Sequence, residues 1–395
     1  MERNFHPIIS MALVIVLTCL YPLQANKFFK PVSPKYDRPE NSPRLVYQGM
    51  TPISSSSWTK SVLLNSSATK LYTFNLEEMS INEIDCSLKV ITKKFRFKKT
   101  ASEGWDYDLN RAMPSFEEKP VEGCFSHNDK ILWVSLHNAG GIVAIPMDSS
   151  TVLDAGSREF PTKTVYISEG ENRTKDSLLV PFIKTGRTPK VIAVTVDNRF
   201  LLVSNWHSNT VSVIRINDTV PPYGKKITDI KTGVFPRGIA IGGSDKSYVA
   251  NMGSDEISVV NNKSWKVIKN LQTGINPRHL VMGSDRFYVS YNTSSEIACI
   301  NKLDNRILFR SSTSANPRTI ALSNDQRFLF VACYEGNAID VFEINDRSFA
   351  KIYSIDCSGK PIGIDLMENS ESLEAWVCTY EGKSLKVFSF LKNEG

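Results

Sequence analysis

Apolar residues in this chain fall in short runs rich in Val, Ile, Leu, Tyr and Phe, each bounded by a polar turn, the pattern of β-strands rather than helices. Over the C-terminal half the runs recur in a fixed order. The segments TGRTPK, TGVFPR, TGINPR, TSANPR and CSGKPI each carry a proline, at Pro189, Pro236, Pro277, Pro317 and Pro361. Successive prolines are 47, 41, 40 and 44 residues apart. After each proline the pattern predicts an apolar strand and a turn, such as Asp197-Asn198-Arg199 or Asn324-Asp325-Gln326. A second strand (LLVSN, SYVAN, FYVSY, FLFVAC, EAWVCT), a polar loop and a third strand (TVSVIRI, EISVVNN, EIACINK, AIDVFEI, SLKVFSF) follow. A fourth strand, such as TDIKTG or KNLQTG, leads into the next proline. The runs lack the 3.6-residue period that a helical solenoid needs.

Two earlier copies extend the series. Pro120 opens CFSHNDKILWVSLHNAGGIVAIPM, whose fourth strand is predicted at Leu178–Gly186 after an insertion at Ser149–Asp176. A degenerate copy occupies Lys60–Lys99. The last copy lacks a fourth strand, which Arg44–Gly49 could supply by pairing the two ends of the chain. Such closure removes exposed sheet edges. The expectation is an all-β fold: a single seven-bladed β-propeller of four-stranded antiparallel blades over residues 44–395. LLVSNWHSNTVSVI and SYVANMGSDEISVV resemble the Tyr-Val-Thr-Asn strand of YVTN-repeat β-propellers, and the similarity covers nearly all of residues 119–390. That resemblance implies the fold. It leaves function open among binding proteins, surface-layer components, lactonases and haem-carrying propellers.

The N-terminus reads differently. Ile8–Tyr21 is an apolar run of 14 residues behind Arg3 and His6, shorter than a membrane-spanning helix requires. It reads as a signal peptide ending near Ala25, with an uncleaved anchor or a lipid on Cys19 as the other readings. Residues 26–43 carry four prolines and read as an extended linker. The propeller is therefore expected to be exported: periplasmic, cell-surface or secreted. Six cysteines lie beyond the leader with no Cys-x-x-Cys pair, and several sit inside apolar strands, so buried thiols are expected rather than a zinc site or a disulfide framework.

Lys and Arg number 47 against 41 Asp and Glu, a net charge of +6, too little to imply nucleic acid. One segment invites that reading all the same. Lys93–Lys99 (KKFRFKK) alternates basic and aromatic residues, either to bind a polyanion or to guard an exposed strand against pairing.

The repeat also places the candidate site. In a propeller the first strand of each blade lines the central channel, and the loops entering it share a face with the loops between strands two and three. The residue after the proline is Lys190, Arg237, Arg278 and Arg318 in four consecutive copies, and Val121 and Ile362 in two others. A basic arc at the channel mouth suits capture of carboxylate or phosphate, although each cation could instead pair with a neighbouring blade. The loop column adds His137, Trp206, Tyr334 and Tyr380, and the next position adds His207, Glu335 and Glu381. These eleven residues form the expected ligand-binding surface, with the long connection Ala101–Lys119 beside it. The function expected is non-enzymatic binding or scaffolding, with an anionic small molecule, a polyanion or a protein as partner. No cofactor or metal and a monomeric state are expected. The alternative is a lactonase-type hydrolase using Glu335 or Glu381 with Arg318, or His207 with Arg237.

Overall fold

The computed structural model describes residues 44–106, 109–147, 160–170, 174–216 and 218–393. The signal-peptide and linker readings lie outside the described residues. Each predicted proline opens a strand: Pro120–Ser126, Pro189–Val194, Pro236–Ile241, Pro277–Met282, Pro317–Leu322 and Pro361–Glu368. Proline suits a strand's first residue, where its fixed φ costs little and its missing N–H leaves no ladder bond unmade.

Four sheets run in strict chain order, each an antiparallel meander of four strands: Pro189–Val194 to Lys225–Lys231, Pro236–Ile241 to Lys266–Gln272, Pro277–Met282 to Ile307–Ser312, and Pro317–Leu322 to Phe349–Asp356. A fifth joins the ends of the chain. Pro361–Glu368, Ser372–Thr379 and Ser384–Asn393 take Arg44–Ser54 as their outer strand, with Tyr47 opposite Phe390. The expected closing segment is thus present and runs five residues beyond Gly49.

The remaining strands form one nine-stranded sheet. Thr59–Leu64, Lys70–Asn75, Ser80–Asp85 and Val90–Phe97 make one meander, and Pro120–Ser126, Ile131–Leu136, Gly141–Pro146 and Thr174–Lys184 make another. Thr162–Glu169, drawn from the insertion, pairs with Val90–Phe97 on one side and Thr174–Lys184 on the other and clasps the two together. This corrects the reading of Lys93–Lys99 as an exposed strand. Lys93 stands opposite Glu83 and Glu169, Lys94 binds Glu78 at 2.7 Å, and Phe95 and Phe97 are buried in the core. Those aromatic faces are spent on packing and cannot stack bases.

The inner strands pack against one another in chain order, and the last, Pro361–Glu368, packs against the first, Thr59–Leu64. Apolar side chains fill the layers between neighbouring sheets. Trp133, Ile142, Leu201 and Val203 form one such layer, and Tyr248, Leu271, Phe287 and Tyr291 another. The six cysteines among the described residues are free and buried.

A hydroxyl lattice fixes the inner strands. Ser135, Ser204 and Ser290, all on second strands, donate to the backbone carbonyls of Lys190, Arg237 and Arg318 on the next inner strand at 2.7, 2.8 and 2.7 Å. Each bond holds in register the residue that carries a cation. Ser204→Ala is expected to cost about 1–3 kcal/mol, because the Arg237 carbonyl is left without this buried donor. Urea denaturation with an unchanged m-value checks it.

Candidate functional site at the channel mouth

The loop entering each inner strand turns through a left-handed residue. Trp58, Thr188, Phe235, Asn276 and Asn316 have φ of 59, 56, 55, 56 and 62°, a conformation that costs a non-glycine residue about 1–2 kcal/mol. This shared turn ends two residues before the cation column. It also reveals a member of the column that the prolines did not mark. Thr59 stands where the others have proline, so Lys60 is the equivalent of Lys190, Arg237, Arg278 and Arg318.

The five cations converge. Lys190, Arg237 and Arg278 are buried, and Lys60 and Arg318 are half-buried. Burial holds Lys60 and Lys190 well below the ordinary ammonium range, and repulsion from Arg237 adds to it, although Lys60 and Arg237 stand on inner strands that are not neighbours. Burial likewise lowers Arg237 and Arg278, and brings Arg318 to about 10.

Among the described residues one carboxylate forms an ion pair with them. Glu122 Oε1 accepts from Arg237 Nη2 at 3.1 Å, a bond that reaches past the inner strand of Lys190. Arg237 Nη1 is buried without a hydrogen-bond partner, and among the described residues Lys60, Lys190, Arg278 and Arg318 form no ion pair. Among the described residues none of the five cations pairs with an acid of the adjacent sheet, and Arg237 instead reaches the acid of the sheet beyond it.

The loop column supplies soft faces instead of charges. Lys190 Nζ lies 4.9 Å from the centre of the Trp206 ring, Lys60 Nζ 4.8 Å from that of Tyr380, and the Arg318 guanidinium 3.4 Å from that of Tyr334. Arg278 Nη1 is 3.7 Å from Met252 Sδ. Cation–π contact steadies a cation but leaves its charge unneutralised. The same rings also pack between loops, Tyr334 with Tyr380 at 6.1 Å and Trp206 with Phe235 at 5.8 Å.

The other predicted residues lie around the ring. Glu335 is bound by Lys360 at 3.1 Å and is not paired with Arg318. His207 bonds Thr188 Oγ1 through Nδ1 at 2.7 Å, and the charges that reach it are those of Lys190 and Arg187, not Arg237. Neither pairing considered for lactone hydrolysis is formed, and Glu381 acts on Lys360, outside the ring. His137 donates from Nδ1 to Asn138 Oδ1 at 2.7 Å, and burial with Lys190 nearby keeps it neutral far below the usual imidazole range. His279, half-buried, is pushed down to about 3, by desolvation first and then by the charges of Arg237 and Arg278.

Sequence reasoning missed Lys60, Glu122 and His279. Glu122 and His279 follow the cation column by one residue, a position where an acid beside four cations could have been noticed. Among the described residues no group of His, Cys, Asp or Glu is arranged to hold a metal ion.

Fold and site together define a binding β-propeller whose channel mouth is lined by cations. Residues 130–376 match the sequence profile of the Choice-of-anchor I domain, and the chain belongs to that family, whose character is that of a cell-surface or exported protein. No curated protein matches the chain. Among solved structures it is similar to Kuenenia stuttgartiensis hydrazine synthase, at 12% identity and a TM-score of 0.62, over 86% of this chain and 97% of that one. It is also similar to the Myceliophteria thermophila Cps50 (Swd1) β-propeller domain, at 8% identity and a TM-score of 0.61, over 86% of this chain and 99% of that one. The WD40 β-propeller domain of Doa1 matches at 11% identity and a TM-score of 0.55, over 88% of this chain and 97% of that one. At these identities the likeness concerns the fold alone.

Proposed function

We propose that this protein is an exported, seven-bladed propeller that binds a multiply charged anion at the ring of Lys60, Lys190, Arg237, Arg278 and Arg318, without chemical turnover. The observation that carries the reading is the charge imbalance of the ring: five cations, all at least half-buried, share one ion pair among the described residues, that of Arg237 with Glu122. Buried charges are normally paired, and a ring left unpaired stores repulsion that an anion relieves. Bidentate guanidinium groups suit carboxylate, sulfate or phosphate equally. Seven blades are supported by the closed succession of inner strands and by the pairing of the two chain ends. Binding is preferred to lactone hydrolysis because Glu335 is engaged by Lys360 and stands apart from Arg318.

The test is thermal unfolding in citrate, sulfate and phosphate against chloride at matched ionic strength. Citrate at a hundredfold excess over its Kd is expected to add about 2.7 kcal/mol of stability by mass action. Arg278→Ala should lose that shift. Equal shifts in wild type and variant, or none with any anion, would sink the reading.

A further inference from the structure

Beside the ring lies a cleft that the ring does not explain. Its volume is about 700 Å³, within the range of small-ligand sites, and its lining includes Trp105, His137, Asn138, Thr188, His207 and Ser208. The strands Ala101–Asp106 and Arg111–Phe116 form the hairpin that brings Trp105 to it. Asn138 Nδ2 anchors that hairpin by donating to Ser115 Oγ and to the Phe116 carbonyl, both at 2.9 Å. Gly104 makes the close approach possible, since a Cβ there would stand 2.9 Å from Ser115 Cβ. Trp105 is 49% exposed at the edge of the cleft.

The cleft lies beside Lys190 of the ring. Thr188, in the lining, is two residues before Lys190 in the chain, and both His137 and His207 feel the Lys190 charge. With Nδ1 donating to Asn138, neutral His137 presents Nε2 as an acceptor. Two further cations, Lys184 and Arg187, line the cleft itself. Positive charge is thus spread along a path, from Lys184 and Arg187 through Lys190 to Arg237 and Arg278, with neutral hydrogen-bonding groups and one aromatic face between.

We propose that cleft and ring together form one extended subsite for an acidic oligosaccharide, a chain with a carboxylate on each sugar, in which Trp105 stacks on one sugar ring. The proposal rests on the anion-binding reading of the ring and names its ligand class. Repeated cations match repeated carboxylates, and the hydroxyls and imidazoles of the cleft match sugar hydroxyls along the chain. A single-stranded nucleic acid would also carry a charge per residue, but it draws on successive stacking platforms. The lining offers one, and Trp206 has its face taken by Lys190.

Calorimetric titration of the full chain with tri-galacturonate, mono-galacturonate, citrate, maltotriose and an oligothymidylate tests it. Tri-galacturonate should bind at least tenfold more tightly than mono-galacturonate, and maltotriose not at all. Trp105→Ala should weaken tri-galacturonate about tenfold and leave citrate unchanged, whereas Arg278→Ala should weaken both. Trp105→Ala with undiminished tri-galacturonate affinity overturns the proposal, as does an oligothymidylate that binds more tightly than tri-galacturonate. Citrate binding without tri-galacturonate binding overturns the oligosaccharide and keeps the ring's anion site. Binding of neither overturns both.

Discussion

Arg278→Met is expected to make the protein more stable and to abolish anion binding at the same time. Arg278 is buried, forms no ion pair and feels the charges of Arg237 and Arg318. Among the described residues its side chain's one hydrogen-bond partner is Met252 Sδ at 3.7 Å, a weak acceptor. A guanidinium in that position pays desolvation and repulsion with little return. Methionine keeps the unbranched shape, is favoured beside another thioether and removes the charge. Replacing poorly compensated buried charge by apolar volume gains about 1–4 kcal/mol in comparable cases. Urea unfolding in dilute chloride buffer should therefore show a higher midpoint for the variant. With citrate present the gap should narrow or reverse, because only the wild type gains from the ligand. A variant less stable than wild type in chloride would show that the ring is compensated by contacts other than those described. Activity built at a cost in stability is a common pattern for binding sites.

Much of this architecture was legible in the sequence because a repeat makes its own alignment. The prolines before Lys190, Arg237, Arg278 and Arg318 fixed the phase of four copies, and the alternation of apolar runs fixed the strands within each. The closing strand was legible too, since a missing fourth strand at one end and an orphan strand at the other have only each other. What failed to show did so where the local signal was absent. Thr59 hid Lys60, because the left-handed turn at Trp58 that defines the column is a backbone property and leaves no fixed residue type. Val90–Phe97 looked like an exposed strand because its second partner, Thr162–Glu169, is far away in sequence and belongs to no repeat. The pairing of Arg237 with Glu122 spans 115 residues, and no period relates the two. Only the closure of the ring brings them together.

That single carboxylate carries the other large effect. Glu122→Gln is expected to destabilise the protein by up to about 3–5 kcal/mol, because it leaves the buried Arg237 without its partner, although Glu122 itself is only half-buried. Arg237 Nη1 is already unpartnered, so without Glu122 the whole guanidinium would lose its counter-charge. The loss should also reach Lys60, Lys190 and Arg278, since Glu122 is the carboxylate that offsets the repulsion each of them feels. Glutamine preserves the size and an amide oxygen for Arg237, so the charge is what the comparison isolates. Two consequences distinguish this from an ordinary folding defect. Citrate should raise the unfolding midpoint of the variant more than that of the wild type, because the ligand takes over the missing counter-charge. Its affinity should rise by about tenfold, some 1.4 kcal/mol, because a carboxylate that competed with it is gone. Calorimetry and thermal unfolding on the same samples read both. A variant within 1 kcal/mol of wild type, or one that citrate rescues no better, would mean that Glu122 neither compensates the ring nor competes with its ligand. Paired with Arg278→Met, the two substitutions push net charge at the mouth in opposite directions, so stability in chloride and affinity for citrate should move oppositely in each. A defect of packing alone would lower stability in both and affinity in both.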